Sequence, residues 1–124
     1  MWRIHDRITF ISNLLKGKGF SSTLMGLKVG LDEYTGWFKM KARRQNVTIF
    51  ISEHISSGVI KKYSYTLLVD TKLILRYDNA PHFPDILTFP HHKHYKDRVH
   101  PLEKPQIEVF LEECMEILKG LSVT

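Results

Sequence analysis

The chain has 124 residues, of which 43% are hydrophobic and 25% charged, which is one globular domain's worth and leaves no room for wholesale disorder. Its single cysteine, Cys114, excludes an internal disulfide framework and a cysteine-based zinc knuckle, and no apolar run approaches the roughly 18 residues of a membrane helix. The net charge of +5 is uneven: residues 1–62 hold eleven Lys and Arg against four Asp and Glu, and residues 63–124 hold seven against nine. A basic half fits a polyanionic partner such as RNA, DNA or an acidic protein, and equally a solvated, solubilising surface. Residues Met1 to Arg7 carry charges where a signal peptide would have its apolar stretch. The expectation is a soluble, reduced, cytoplasmic protein with a single domain over 1–124.

Residues 4–16 predict a helix. Ile4, Ile8, Ile11 and Leu15 share helical spacing, with Arg7, Asn13 and Lys16 read as lying off that face, and Gly17 and Gly19 end it. Residues 20–26 read as a Ser/Gly-containing connection. Residues 27–77 predict an antiparallel β-meander, with short polar turns at Thr35-Gly36, Arg44 to Asn46, Ser56 to Gly58 and Asp70-Thr71. Residues 78–105 hold all five prolines and five of the seven histidines. Five prolines remove backbone donors, so this stretch reads as loop or short extended pieces after the last strand. Residues 105–119 predict the second helix, with Ile107, Phe110, Leu111, Cys114, Met115 and Leu118 on one face and glutamates on the other. Pro105 suits its first turn and Gly120 the position past its end. The fold class expected is α+β: an antiparallel meander flanked by an N-terminal and a C-terminal helix.

The chemistry concentrates in Arg76 to Pro84 and Thr88 to His94, and three readings compete. Phosphodiester cleavage needs a base, an acid and cations, and His82, His91, His92 and His94 with Arg76 and Lys93 offer all three. Asp78 suits the orientation of an imidazole. If 91–94 is extended, His92 and His94 point to one side, and His91 and Lys93 to the other. Metal binding is the second reading, with His-x-His, His82 and Asp78 as ligands. The third is structural: Asp78-Asn79 is turn chemistry, Pro81 and Pro84 stiffen the return, and an Arg76–Asp78 pair pins the loop.

The string Arg76-Tyr77-Asp78-Asn79-Ala80-Pro81-His82, followed by Phe89-Pro90-His91-His92-Lys93-His94, resembles the signature of the TumE-type toxin family of prokaryotic toxin–antitoxin modules. Tyr63-Ser64-Tyr65 resembles the family's Tyr-Ser-Tyr strand, and Glu53 matches an acidic position before it. The strong match covers residues 63–94. The resemblance implies a small toxin encoded beside a helix-turn-helix antitoxin, with ribonuclease or translation-blocking activity usual for toxins of this size. One departure is Phe83, which stands where the family commonly has a second histidine after the proline.

Lys39, Lys41, Arg43 and Arg44 form a basic stretch. If 39–43 is a strand, Lys39, Lys41 and Arg43 share a face that suits either a phosphate backbone or a lysine-protected sheet surface. Trp37, Tyr63, Tyr65 and Tyr77 suit base stacking or packing. Glu53 beside His54 reads as an edge charge in preference to a catalytic acid or base. Cys114 reads as core.

The function expected is an RNA-targeting endoribonuclease toxin without a cofactor. His92 and His82 transfer protons, Arg76, Lys93 and His94 hold phosphate, Asp78 and Asn79 orient, and Lys39, Lys41, Arg43, Arg44, Tyr63 and Tyr65 contact nucleic acid. The alternatives are a module that binds nucleic acid or a partner without chemistry, and a His-ligated metal-dependent hydrolase. Homo-oligomerisation is left open.

Overall fold

The computed structural model describes residues 1–121. Helix α1 (Ile4–Gly17) is followed by seven strands and helix α2 (Ile107–Gly120). The strands are β1 (Ser21–Val29), β2 (Gly36–Arg44), β3 (Val47–Ser56), β4 (Val59–Val69), β5 (Lys72–Asp78), β6 (His92–Tyr95) and β7 (Arg98–Pro101). They form one antiparallel sheet in the order β1-β2-β3-β4-β5-β6-β7. This is the α+β meander with two flanking helices that the hydrophobic pattern predicts. Among the described residues no helix is long and apolar enough to cross a membrane.

Local chemistry sets the boundaries. At the end of α1 the Phe20 N–H donates to the Leu15 carbonyl and the Gly19 N–H to the Lys16 carbonyl. Those two bonds, with Gly19 at φ +83°, make a Schellman cap. Leu15 and Phe20 both enter the core, so the cap also seats the helix on the sheet. The tight hairpins use left-handed backbone at Gln45, at Ser57 and Gly58, at Asp70, and at Lys96 and Asp97, which matches the twist of the flanking strands.

Three readings need correction. Residues 20–26 are not a connection, because Ser21 opens an edge strand paired with β2 through a bulge between Leu24 and Gly26. An edge strand needs no apolar face, so its Ser, Thr and Gly content looks like loop. The Pro/His segment is not loop throughout: β6 pairs with β5, and β7 pairs with β6. Helix α2 begins at Ile107, which leaves Pro105 before it, and Gly120 is its last residue.

Side-chain alternation gives the sheet two unlike faces. Phe38, Ala42, Ile49, Ile51, Leu67 and Leu75 point to the helices and form the core with Ile4, Ile11, Leu15, Ile107, Phe110 and Leu118. Cys114 lies in the same core, and burial pushes its thiol up, which fits packing rather than nucleophilic chemistry. The opposite face is uncovered by either helix, and the site lies there.

Candidate active site

The register of the central strands lines up two rows across the open face. Lys39, Ser52, Ser64, Asp78 and His92 are successive cross-strand partners from β2 to β6, and so are Lys41, Phe50, Thr66, Arg76 and His94. Arg-x-Asp on β5 thus meets His-x-His on β6, side chains on the same face because both spacings are two. The basic strip on β2 stands three strand spacings from β5, about 14 Å.

Asp78 is the centre of the cluster. Its Oδ1 accepts the Ala80 backbone N–H at 2.9 Å and faces His92 Nε2 at 3.0 Å. Its Oδ2 accepts Arg76 Nε at 2.9 Å and lies 3.7 Å from His94 Nε2. Arg76 also reaches the Thr66 hydroxyl at 3.5 Å. Asp78 and His92 are enclosed, with side chains 7% and 2% exposed, whereas His94 is 32% and Arg76 41% exposed. Phe83, the residue at the departing position, covers the imidazoles edge-on, with ring centroids 4.8 Å from His92 and 5.8 Å from His94. Burial lowers the pKa of His94, as do the neighbouring His92 and Arg76, while Asp78 opposes them. The solvent-facing imidazole is therefore biased to the neutral form, the one that accepts a proton.

A groove of about 570 Å³ adjoins the cluster on the same face, lined among others by Met25, Lys39, Phe50, Ser52, Thr66 and Arg76. Lys39, Lys41 and Arg43 alternate with the buried Phe38, Met40 and Ala42, so the three cations share the open face. Arg44 does not join them. Its Nη1 donates to the Lys18 carbonyl at 2.9 Å and its guanidinium lies 5.0 Å over the Phe20 ring.

Other predicted site residues fall elsewhere. Lys93 points to the helix layer, where Nζ meets Glu113 at 2.9 Å and Tyr77 donates to the same carboxylate. Asn79 splices β5 to β4: its Oδ1 accepts the Tyr63 N–H at 3.1 Å and its Nδ2 donates to the Lys61 carbonyl at 2.9 Å. His82 is exposed on the loop and outside the carboxylate–imidazole group, which among the described residues comprises Asp78, His92 and His94. Tyr63 and Tyr65 are buried on the helix side, so their rings do not reach the open face. Trp37 and the half-buried Phe50 are the aromatics beside the basic strip, with Lys39 and Lys41 near their rings.

A second polar network was missed in the residue pattern. Arg7 Nε and Nη2 each donate to a different oxygen of Glu53 at 2.8 Å, and the Tyr65 hydroxyl donates to the same carboxylate. The side chains of Arg7 and Glu53 are 5% and 0% exposed, so Glu53 is a buried ion-pair member and not an edge charge, and Arg7 faces inward. Burial alone would lower the Arg7 pKa, but the hydrogen bonds and charge of Glu53 outweigh it and hold the guanidinium above its usual value. The signal was present: Arg7 sits three residues after Ile4 and four before Ile11, on the buried stripe.

No match was found among curated proteins or among solved structures. The family model described as Toxin TumE matches residues 28–121, a span that takes in the open face, the cluster and α2. The chain belongs to the TumE toxin family.

Proposed function

We propose that this toxin acts on RNA, as an endoribonuclease whose uncovered sheet face is both the binding surface and the site of cleavage. As a toxin of a toxin–antitoxin module it has an antitoxin partner, and the helix-turn-helix character of that partner belongs to the same proposal. The observation that carries the reading is the two-row alignment that sets the Arg76–Asp78–His92–His94 cluster beside a groove and a strip of cations. Lys39, Lys41 and Arg43 track the phosphate backbone, and Trp37 and Phe50 lie where bases stack. Arg76, half exposed and steered by Asp78, holds the scissile phosphate and neutralises the charge that builds on it. His94, the solvent-facing imidazole of the Asp78–His92–His94 centre, takes the proton from the attacking 2′-oxygen. The new bond is 2′-O to phosphorus, the broken one phosphorus to 5′-O, and the leaving oxygen takes its proton from water. His92 is a positioning residue here, because both its ring nitrogens are engaged. Lys93 and Asn79 brace the strands that present the cluster.

Purified, antitoxin-free protein is expected to produce fragments ending in cyclic phosphate from a structured RNA, and His94→Ala to lose at least about 100-fold in rate while still binding. A second reading, a binding module without chemistry, is favoured by the burial of Asp78 and His92. Salt-sensitive RNA binding with intact RNA across pH 5–9 supports it against the first.

A further inference from the structure

The Asp78–His92 contact poses a question of hydrogen counting. His92 Nδ1 lies 3.0 Å from the Pro90 carbonyl oxygen. A carbonyl only accepts, so Nδ1 carries a hydrogen. In the neutral ring Nε2 is then a bare lone pair, and it faces the Asp78 carboxylate at 3.0 Å. Two lone-pair groups do not sit this close inside a protein without a positive species between them. That species is either a proton, carried by His92 or by Asp78, or a metal ion.

His94 points to the ion. Its Nε2 lies 3.7 Å from the other Asp78 oxygen, beyond hydrogen-bonding reach. The carboxylate already takes an N–H from Ala80 and one from Arg76, so His94 is not needed to satisfy it. Yet one ligand atom from each of Asp78, His92 and His94 lies within 4.8 Å of the others. Ligands about 2.0–2.1 Å from a tetrahedral ion stand roughly 3.4 Å apart, inside the 4.8 Å within which these three atoms lie. The supporting contacts have the usual form, with the far nitrogen of a ligand histidine donating to a carbonyl and the carboxylate held by its own donors. Two imidazoles and one carboxylate suit a divalent transition ion, and three protein ligands leave a coordination position unfilled by the protein. Arg76, beside the carboxylate, works against the ion's charge and keeps the affinity moderate.

We propose that Asp78, His92 and His94 form a binding site for one divalent transition-metal ion of the zinc class, in which the ion takes the place of the proton between His92 and Asp78. The site goes beyond the RNA-cleaving reading and is decided by binding alone. If both hold, Asp78, His92 and His94 would hold the ion, which would supply Lewis-acid chemistry at the face where Arg76 keeps the phosphate.

The test uses the full chain, stripped with chelator, dialysed and titrated with Co²⁺. The expected result is visible d–d absorption that saturates at one equivalent, is bleached by Zn²⁺, and is accompanied by a rise in Tm. His94→Ala, at a half-exposed position whose folding is checked by circular dichroism, is expected to weaken binding by more than about tenfold. His82→Ala is expected to bind as the wild type does, which separates the site from the other histidines of the segment. Absence of saturable absorption in the wild type overturns the proposal, and so does equal binding by His94→Ala. RNA cleavage, assayed on the same samples, decides the enzymatic reading separately.

Discussion

Glu53 sits in the middle of β3 with its carboxylate enclosed, and the guanidinium that neutralises it comes from α1. A buried pair of this kind is costly to break from one side, because the survivor keeps its desolvation penalty. Arg7→Met is therefore expected to lower unfolding free energy by about 3–5 kcal/mol, and adding Glu53→Gln to recover part of that loss, both read by urea denaturation. A second residue-scale device is the Tyr63 hydroxyl against His91 Nδ1 at 2.8 Å, with the rings stacked. Burial and the charge of Asp78 raise the Tyr63 pKa, and burial with the charge of His92 lowers that of His91. The tyrosine thus stays the donor and the neutral imidazole the acceptor. A histidine whose folded value is lowered supports the fold fully above its ordinary pKa, near 6.5, and loses that support as pH falls through the folded value. The wild type should lose Tm between pH 7 and 5 more steeply than His91→Gln, in parallel thermal melts. Helical spacing puts Arg7 on the buried stripe, but residue types alone name the partner in neither network, because Arg7 and Glu53 lie 46 residues apart in the chain and Tyr63 and His91 28 apart.

At the scale of elements, helices were legible because an apolar stripe repeats over several turns, and the central strands because apolar and polar residues alternate. Strands β6 and β7 were not. His92 to Tyr95 has no apolar alternation, and the prolines around it suppress strand readings. What makes it a strand is the Lys96-Asp97 hairpin and the free edge of β5. The His-x-His pair was legible as a same-side pair, but its meeting with Arg-x-Asp required the register. The Schellman cap at the end of α1 can be tested by substitution. Gly19→Ala puts a Cβ on left-handed backbone and 3.3 Å from Arg44 Cδ, whose guanidinium is held by the Lys18 carbonyl. The expected cost is about 1–2 kcal/mol, measured as a fall in urea midpoint without a change in slope.

At the scale of the molecule, the division of labour is between faces. One face of the sheet, with α1 and α2, holds the apolar core and the Arg7–Glu53 and Lys93–Glu113 pairs. The other carries the cations, the groove and the imidazoles. The charge asymmetry of the sequence foreshadowed this only in part, because Arg7 and Arg44 belong to the helix side and Arg76 comes from the acidic half. Replacing Lys39, Lys41 and Arg43 together by glutamine should weaken RNA binding and flatten its salt dependence by about 0.7 in log–log slope per charge removed, with stability nearly unchanged.

We propose the cluster joining β5 to β6 as the working centre of this toxin. Side-by-side incubation of wild type and His94→Ala with one RNA, with products and binding both recorded, tests that role. Fragments are expected from the wild type and intact RNA from the variant, with similar affinity for the two. RNA left whole by the wild type, or cut equally fast by both, contradicts it.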